Sequence, residues 1–255
     1  MIILISFTEK MAGHHKYNSY SPTKMEVNTI IQTLKIADLV TLLNSLLGLL
    51  AVVLVQNGFT YLAPVLILAA AVADGADGYL SRLFSGSEIG ANLDSLADVI
   101  SFGLAPVALV YAAAGAEASY LLLGALCFYF FCGILRLARF NTAHQGLPSF
   151  KGLPITAGGI ILSAYVLAGE RYFHSGLMIL LSLVIGLLMI SKVTYMKARK
   201  PAHVGPVGLL FIITVLSYPV NTEYTHALAS LLLAVMLIYV ISPVFRRNGE
   251  RKVDA

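Results

Sequence analysis

Four aspartates stand out in a chain that otherwise avoids charge. Asp74 and Asp77 are three residues apart, and Asp94 and Asp98 are four apart, so each pair falls on one face of a helix. The apolar runs that carry them would each suit a membrane. An ionised carboxylate at the centre of a membrane helix costs roughly 2.5–3.5 kcal/mol on insertion scales. Four of them on two adjacent segments demand a compensating partner, and a divalent cation is the natural one. Two helices joined by a short turn run antiparallel and direct both pairs into one cleft. Carboxylate oxygens with room left for water and phosphate are what Mg²⁺ or Mn²⁺ prefers. Helix-end caps are the bland alternative, but caps do not sit two or three turns inside an apolar helix. Gly75, Gly78 and Gly90 leave space for a ligand to approach the backbone, and Arg82 adds a fixed cation suited to phosphate.

Other polar residues punctuate the neighbouring runs. Thr41 and Asn44 share a helix face and suit either a nucleotide or hydrogen bonding between helices, while Asp38 reads as the cap of that helix. Arg136 and Arg139, three residues apart, can converge on one anion with Asn141 as a neutral donor beside them. Membrane-surface anchoring is the alternative for both arginines. The basic groups around Lys192–Lys200 and Arg246–Lys252 read as topology and contact with anionic lipid. Cys127 and Cys132 read as buried free thiols.

The elements that must position these residues are membrane helices. The chain is 58% hydrophobic and 12% charged, against about 25% charged in soluble domains. Apolar runs at about 37–56, 60–82, 88–113, 117–138, 153–169, 174–191, 204–220 and 224–245 each approach the ~20 residues of a span. The expected fold is therefore all-α, a polytopic bundle of eight transmembrane helices. Residues 1–24 read as a flexible tail, 25–245 as one membrane domain and 246–255 as a basic tail. Glu26–Lys35, with apolar residues at Val27, Ile30, Ile31 and Leu34, predicts an amphipathic interfacial helix ahead of the first span. With eight spans both termini share a side, and 16 of the 17 Lys and Arg residues fall on it, Arg171 alone falling opposite. That side is cytoplasmic by the positive-inside rule. At 1.5 Å per residue, Asp74 lies roughly 12 Å below Arg82, and Asp94 and Asp98 lie roughly 9 and 15 Å beyond Glu88. The site should open to the cytoplasm from the inner half of the bilayer.

The stretch Asp74–Asp98 resembles the signature of the CDP-alcohol phosphotransferase family, Asp-x2-Asp-Gly-x2-Ala-Arg, a spacer, then Gly-x3-Asp-x3-Asp. Asp74, Asp77, Gly78, Arg82, Gly90, Asp94 and Asp98 fall on it in order. Ser81 stands where the family usually has Ala, and the spacer from Leu83 to Ile89 is one residue shorter than is usual. The resemblance implies an enzyme of phospholipid biosynthesis in which a CDP-activated lipid donates its phosphatidyl-type group to an alcohol and CMP leaves. It implies Asp74, Asp77 and Asp94 as metal ligands. Asp98 would be the general base, also touching the second of two divalent cations, Mg²⁺ or Mn²⁺. Thr41, Asn44, Gly78, Ser81, Arg82 and Gly90 would surround the CDP moiety. The segments Leu93–Gly103, Arg136-Leu-Ala-Arg-Phe-Asn141 and Gly152-Leu-Pro154 resemble the membrane-embedded, serine-accepting branch of that family. This implies L-serine as acceptor, held by Arg136, Arg139 and Asn141, and phosphatidylserine or its archaeal ether-lipid counterpart as product. A homodimer is expected, and no nucleic-acid partner.

Two alternatives stay open on the sequence. An enzyme of the same family accepting glycerol phosphate or inositol phosphate would also want arginines. A divalent-cation transporter would also carry intramembrane carboxylates, but these should spread through the membrane depth and often come with an internal repeat. Here all four aspartates lie in the same half, and no repeat is found.

Overall fold

In a computed structural model, residues 33–84, 86–142, 149–169, 173–196 and 201–253 are described. The expected amphipathic helix lies almost wholly outside these residues, as does the N-terminal tail. Eight helices are found among the described residues. They are α1 (Ile36–Gln56), α2 (Leu62–Phe84), α3 (Gly90–Ala113), α4 (Tyr120–Thr142), α5 (Ile155–Leu167), α6 (Ser175–Ile190), α7 (Pro201–Ser217) and α8 (Thr222–Val253). Five of them, α1 to α4 and α8, are long and apolar enough to cross a membrane, whereas α5, α6 and the apolar part of α7 are shorter. The basic residues after the last apolar run do not leave the helix; α8 continues through them to Val253.

The sequence-based expectation of a purely helical chain misses one element. Ser149–Lys151 (β1) and Thr194–Met196 (β2) form an antiparallel ribbon, with Phe150 opposite Tyr195. Strands of three residues are too short to show a periodicity against long apolar runs. Tyr195 secures the ribbon: it is buried, its hydroxyl donates to the Val240 carbonyl at 3.3 Å, and its ring tilts against Tyr239.

Packing follows an inside-out pattern. Along α1 the buried stripe is Ala37, Thr41, Asn44, Gly48 and Ala51, whereas Leu39, Leu42, Leu43, Leu46 and Leu50 are exposed. Small and polar residues let helix backbones approach, and leucines face where lipid would be. Cys127, expected to be buried, faces outward on α4, and Cys132 is inside.

α3 occupies the middle of the arrangement, packed against α1, α2, α4 and α5. It is not uniformly α-helical. Val99–Leu104, immediately after Asp98, form a π-helical turn, a wider coil that recurs at functional sites. Three neighbours grip it. The Ser101 hydroxyl donates to the Asn44 carbonyl of α1 at 2.8 Å, and the Tyr129 hydroxyl of α4 donates to the Phe102 carbonyl at 2.5 Å. A Cβ on Gly48 would sit 2.6 Å from Ser101 Cα, and one on Gly159 of α5 would sit 2.8 Å from Phe102 Cα. Both glycines are thus required by the backbone of α3.

Gly48→Val should therefore destabilise the bundle by about 1–3 kcal/mol, as overpacking of a filled core does. Gly124→Val, at a position where a Cβ meets nothing within 4 Å, should be close to neutral. Thermal unfolding of the two variants in the same detergent checks the contrast.

Candidate active site

The apolar runs of α2 and α3 place the aspartates where their spacing predicts. One carboxylate oxygen from each of Asp74, Asp94 and Asp98 lies within 4.8 Å of the others, and Asp74 and Asp94 are in hydrogen-bonding contact. Asp77 is turned slightly away. It is buried, and its Oδ2 accepts the Thr41 hydroxyl at 2.6 Å. Thr41 therefore fixes one carboxylate of the motif from α1.

Charge in this region is far from balanced. Arg136, 6% exposed, is the cation whose field reaches Asp74, Asp94 and Asp98. Among the described residues this one guanidinium cannot balance three clustered carboxyl groups and Asp77 in their ionised forms, so the site must take up protons or cations. Asp94 Oδ1 and Asp98 Oδ1 are buried and have no hydrogen-bond partner among the described residues, and neither has the amide of fully buried Asn44. Native interiors leave few such atoms unpaired. Clustered, orphaned carboxylate oxygens are a donor set for a hard divalent cation. The acidic cluster thus fits a metal.

Beside the cluster lies a cleft of about 400 Å³, within the range of small-molecule sites. Thr41, Asp77, Gly78, Ser81, Gly90 and Asp94 all line it, so much of the expected nucleotide-binding set is brought together. Asn44 is not in its wall. Arg82 is exposed in the last turn of α2 and does not line the cleft either. Asp38 plays two parts. It caps α1, its Oδ2 taking the Lys35 N–H at 2.7 Å, and it forms cleft wall with Ser87 and Phe140.

The three residues expected to hold the acceptor separate. Arg136 lies within the field of the carboxylates, its guanidinium 5.4 Å from the centre of the Phe140 ring. Asn141 is tied to α3, its side chain 3.1 Å from the Ser95 hydroxyl. Arg139 instead donates to four backbone carbonyls: Lys151 at 2.6 Å, Met189 at 3.0 Å, Ile190 at 3.2 Å and Ser191 at 3.3 Å. Sequence reasoning missed Ser87, Ser95 and Phe140. Ser95 lies between two motif aspartates, which is a positional hint, but nothing in its residue type marks it.

Residues 34–191 match the CDP-alcohol phosphatidyltransferase family model, and the chain belongs to that family. It is 37% identical over 176 residues to an archaetidylserine synthase of Methanothermobacter thermautotrophicus, covering 67% of this chain and 73% of that protein. It is 39% identical over 170 residues to a CDP-diacylglycerol–serine O-phosphatidyltransferase of Methanocaldococcus jannaschii, covering 66% and 77%. A Helicobacter pylori protein of the same name is 32% identical over 171 residues, covering 64% and 72%.

Thr41→Val removes a hydrogen bond to a charged group, worth about 1.5–3 kcal/mol, and frees Asp77 to move. Turnover should fall about tenfold or more while the protein remains folded. A comparison of initial rates and of thermal unfolding for the variant and the parent checks both halves.

Proposed function

We propose that this chain transfers a phosphatidyl-type group from a CDP-activated lipid to L-serine, releasing CMP. The observation that carries the reading is the carboxylate cluster of Asp74, Asp94 and buried Asp98 beside a cleft that Asp77 and Asp94 line, within the field of buried Arg136. The names of the relatives support serine as acceptor and leave two lipids open, a diacylglycerol derivative or an archaeal ether lipid.

Asp74, Asp77, Asp94 and Asp98 would hold two divalent cations, Mg²⁺ or Mn²⁺. Such ions supply positive charge against a diphosphate and stabilise the charge that develops on the transferred group. The chain's own residues do the rest. Thr41 holds Asp77 in place, while Gly78, Ser81 and Gly90 form cleft wall for the CDP moiety. Asn44 and Arg82 complete the nucleotide-binding set, Arg82 from the rim. Asp98 takes the proton of the serine hydroxyl as that oxygen bonds to the lipid-side phosphorus. The phosphoanhydride bond breaks and CMP departs with its electron pair. Arg136 and Asn141 face the acceptor, Arg136 pairing with its carboxylate. Arg139 belongs to the same acceptor-side group and acts there by holding the end of α4 against Lys151 and Met189.

The chain crosses the membrane eight times in this reading, with both termini and the mouth of the cleft cytoplasmic. The distribution of 16 of 17 basic residues supports that orientation. A homodimer without nucleic acid is the proposed assembly.

The defining experiment incubates purified protein with a CDP-activated lipid and a panel of serine, glycerol phosphate and inositol phosphate, following CMP. Release with serine alone is expected, and release only with a phosphate-bearing alcohol would sink the serine assignment. Chelation should abolish release, and added Mg²⁺ or Mn²⁺ should restore it. Arg136→Gln should raise half-saturating serine about ten- to a hundredfold, the worth of a hydrogen bond to a charged group. Half-saturation unchanged in a folded variant would remove Arg136 from the acceptor site.

A further inference from the structure

The cleft beside the aspartates has an unusual polarity. Its polar side chains among the described residues are the carboxylates Asp38, Asp77 and Asp94 and the hydroxyls Thr41, Ser81 and Ser87. Each hydroxyl already donates its proton to the protein. Thr41 donates to Asp77 at 2.6 Å, Ser81 to the Gly78 carbonyl at 3.3 Å, and Ser87 to Asp38 Oδ1 at 2.9 Å. A hydroxyl has one proton and two lone pairs, so all three can only accept from a ligand. This wall reads a ligand by its donors.

The donor most exposed to it follows from position. Ser87 lies in the turn before α3, and Asp94 lies seven residues further along the chain. Gly90, where the helix starts, is about 6 Å along the axis from Asp94. If the diphosphate of a CDP-lipid lies against the aspartates, a ribose fills that interval and the base reaches the turn. Cytosine carries an exocyclic amine there, and uracil carries a carbonyl oxygen in the same place.

We propose that Ser87 is the acceptor for the exocyclic amine of cytosine, and that buried Asp38 is the positioning residue that keeps Ser87 an acceptor by holding its proton. Asp38 is itself fixed, because its second oxygen takes the Lys35 N–H at 2.7 Å. The turn is fixed too, because Lys35 Nζ donates to the Gly86 carbonyl at 2.8 Å. The lack of a side chain at Gly90 keeps the contact open: a Cβ there would lie 3.2 Å from both Asp38 Oδ1 and Ser87 Oγ. A uracil base would set its carbonyl oxygen against the Ser87 lone pairs, leaving two acceptors face to face. The inference rests on the proposed nucleotide-binding role of the cleft and names what selects the base within it.

The test measures binding of CMP and of UMP to purified protein in the presence of Mg²⁺, for the parent, Ser87→Ala and Asp38→Asn. The parent should favour CMP. Ser87→Ala should weaken CMP about tenfold and leave UMP binding no weaker than in the parent, because the facing acceptor is gone. Asp38→Asn should strengthen UMP, because the freed Ser87 proton can turn to the uracil carbonyl. An unaltered CMP-to-UMP ratio in both variants, or an equal loss of both nucleotides, means that Asp38 and Ser87 merely latch the turn, and overturns the proposal. Should either variant fail to fold, the parent decides alone. A pyrimidin-2-one ribonucleotide, which lacks the amine, should bind about tenfold more weakly than CMP, and equal binding refutes the assignment. A parent that binds neither CMP nor UMP overturns the nucleotide reading of the cleft itself and this inference with it. A parent that prefers CMP, with the preference intact in both variants, overturns the inference alone.

Discussion

The crowding of carboxyl groups inside an apolar helix bundle is the constraint to which the rest of this structure answers. One oxygen from each of three carboxyl groups lies within 4.8 Å of the others, and among the described residues Arg136 is the guanidinium whose field reaches all of them. A lone buried ion costs several kcal/mol even after relaxation, so a cluster of this kind must hold protons or a cation to persist. Its demands reach outward along the helices. α2 and α3 must run antiparallel through a tight turn, α1 must lie close enough for Thr41 to hold Asp77, and α4 must carry its arginine inward.

Fixing these positions is the work of the packing around α3. The π turn begins where the last aspartate ends, and its wider coil changes the direction in which the following side chains project. Such a turn is held by what surrounds it. Backbone contact at Gly48 and Gly159 and the hydroxyls of Ser101 and Tyr129 supply that hold from three helices. The carboxylate of Asp98 is thereby set by groups that never touch a substrate. The same logic places Asp38, buried at the start of α1, in control of Ser87 across the cleft.

Much of this was legible in the sequence, for a physical reason. Charge is so disfavoured in an apolar helix that Asp74, Asp77, Asp94 and Asp98 could not be ordinary surface residues, and their spacing gave the face. The helix boundaries followed from the same hydropathy, with errors of a few residues except at the end of α8, which runs on through basic residues to Val253; α4 likewise runs on past Arg139 because arginine is a good helix former. What stayed hidden depended on the third dimension. The β1–β2 ribbon joins segments more than 40 residues apart, and neither segment has a period of its own. Ser87 and Ser95 are unremarkable in type and matter only because Asp38 and Asn141 come to meet them. The π turn left no mark in composition at all.

The two arginines of α4 show where reading by spacing stops. Residues three apart on a helix are separated by about 60° around its axis and about 4.5 Å along it, so they share a face, and convergence on one anion is geometrically open to them. In the fold they divide. Arg136 sits one turn deeper and is drawn to the carboxylates, while Arg139, at the helix end, meets the carbonyls that close α6. Those carbonyls carry the negative end of a helix dipole and have no intrahelical partner, which makes them a strong site for a guanidinium with five donors. Depth decides between the two fates. One turn further into the bundle, the field of the acidic cluster acts on the guanidinium; one turn further out, the unpaired end of a neighbouring helix takes it. A shared face is a property of one helix, but a shared ligand is a property of its neighbours.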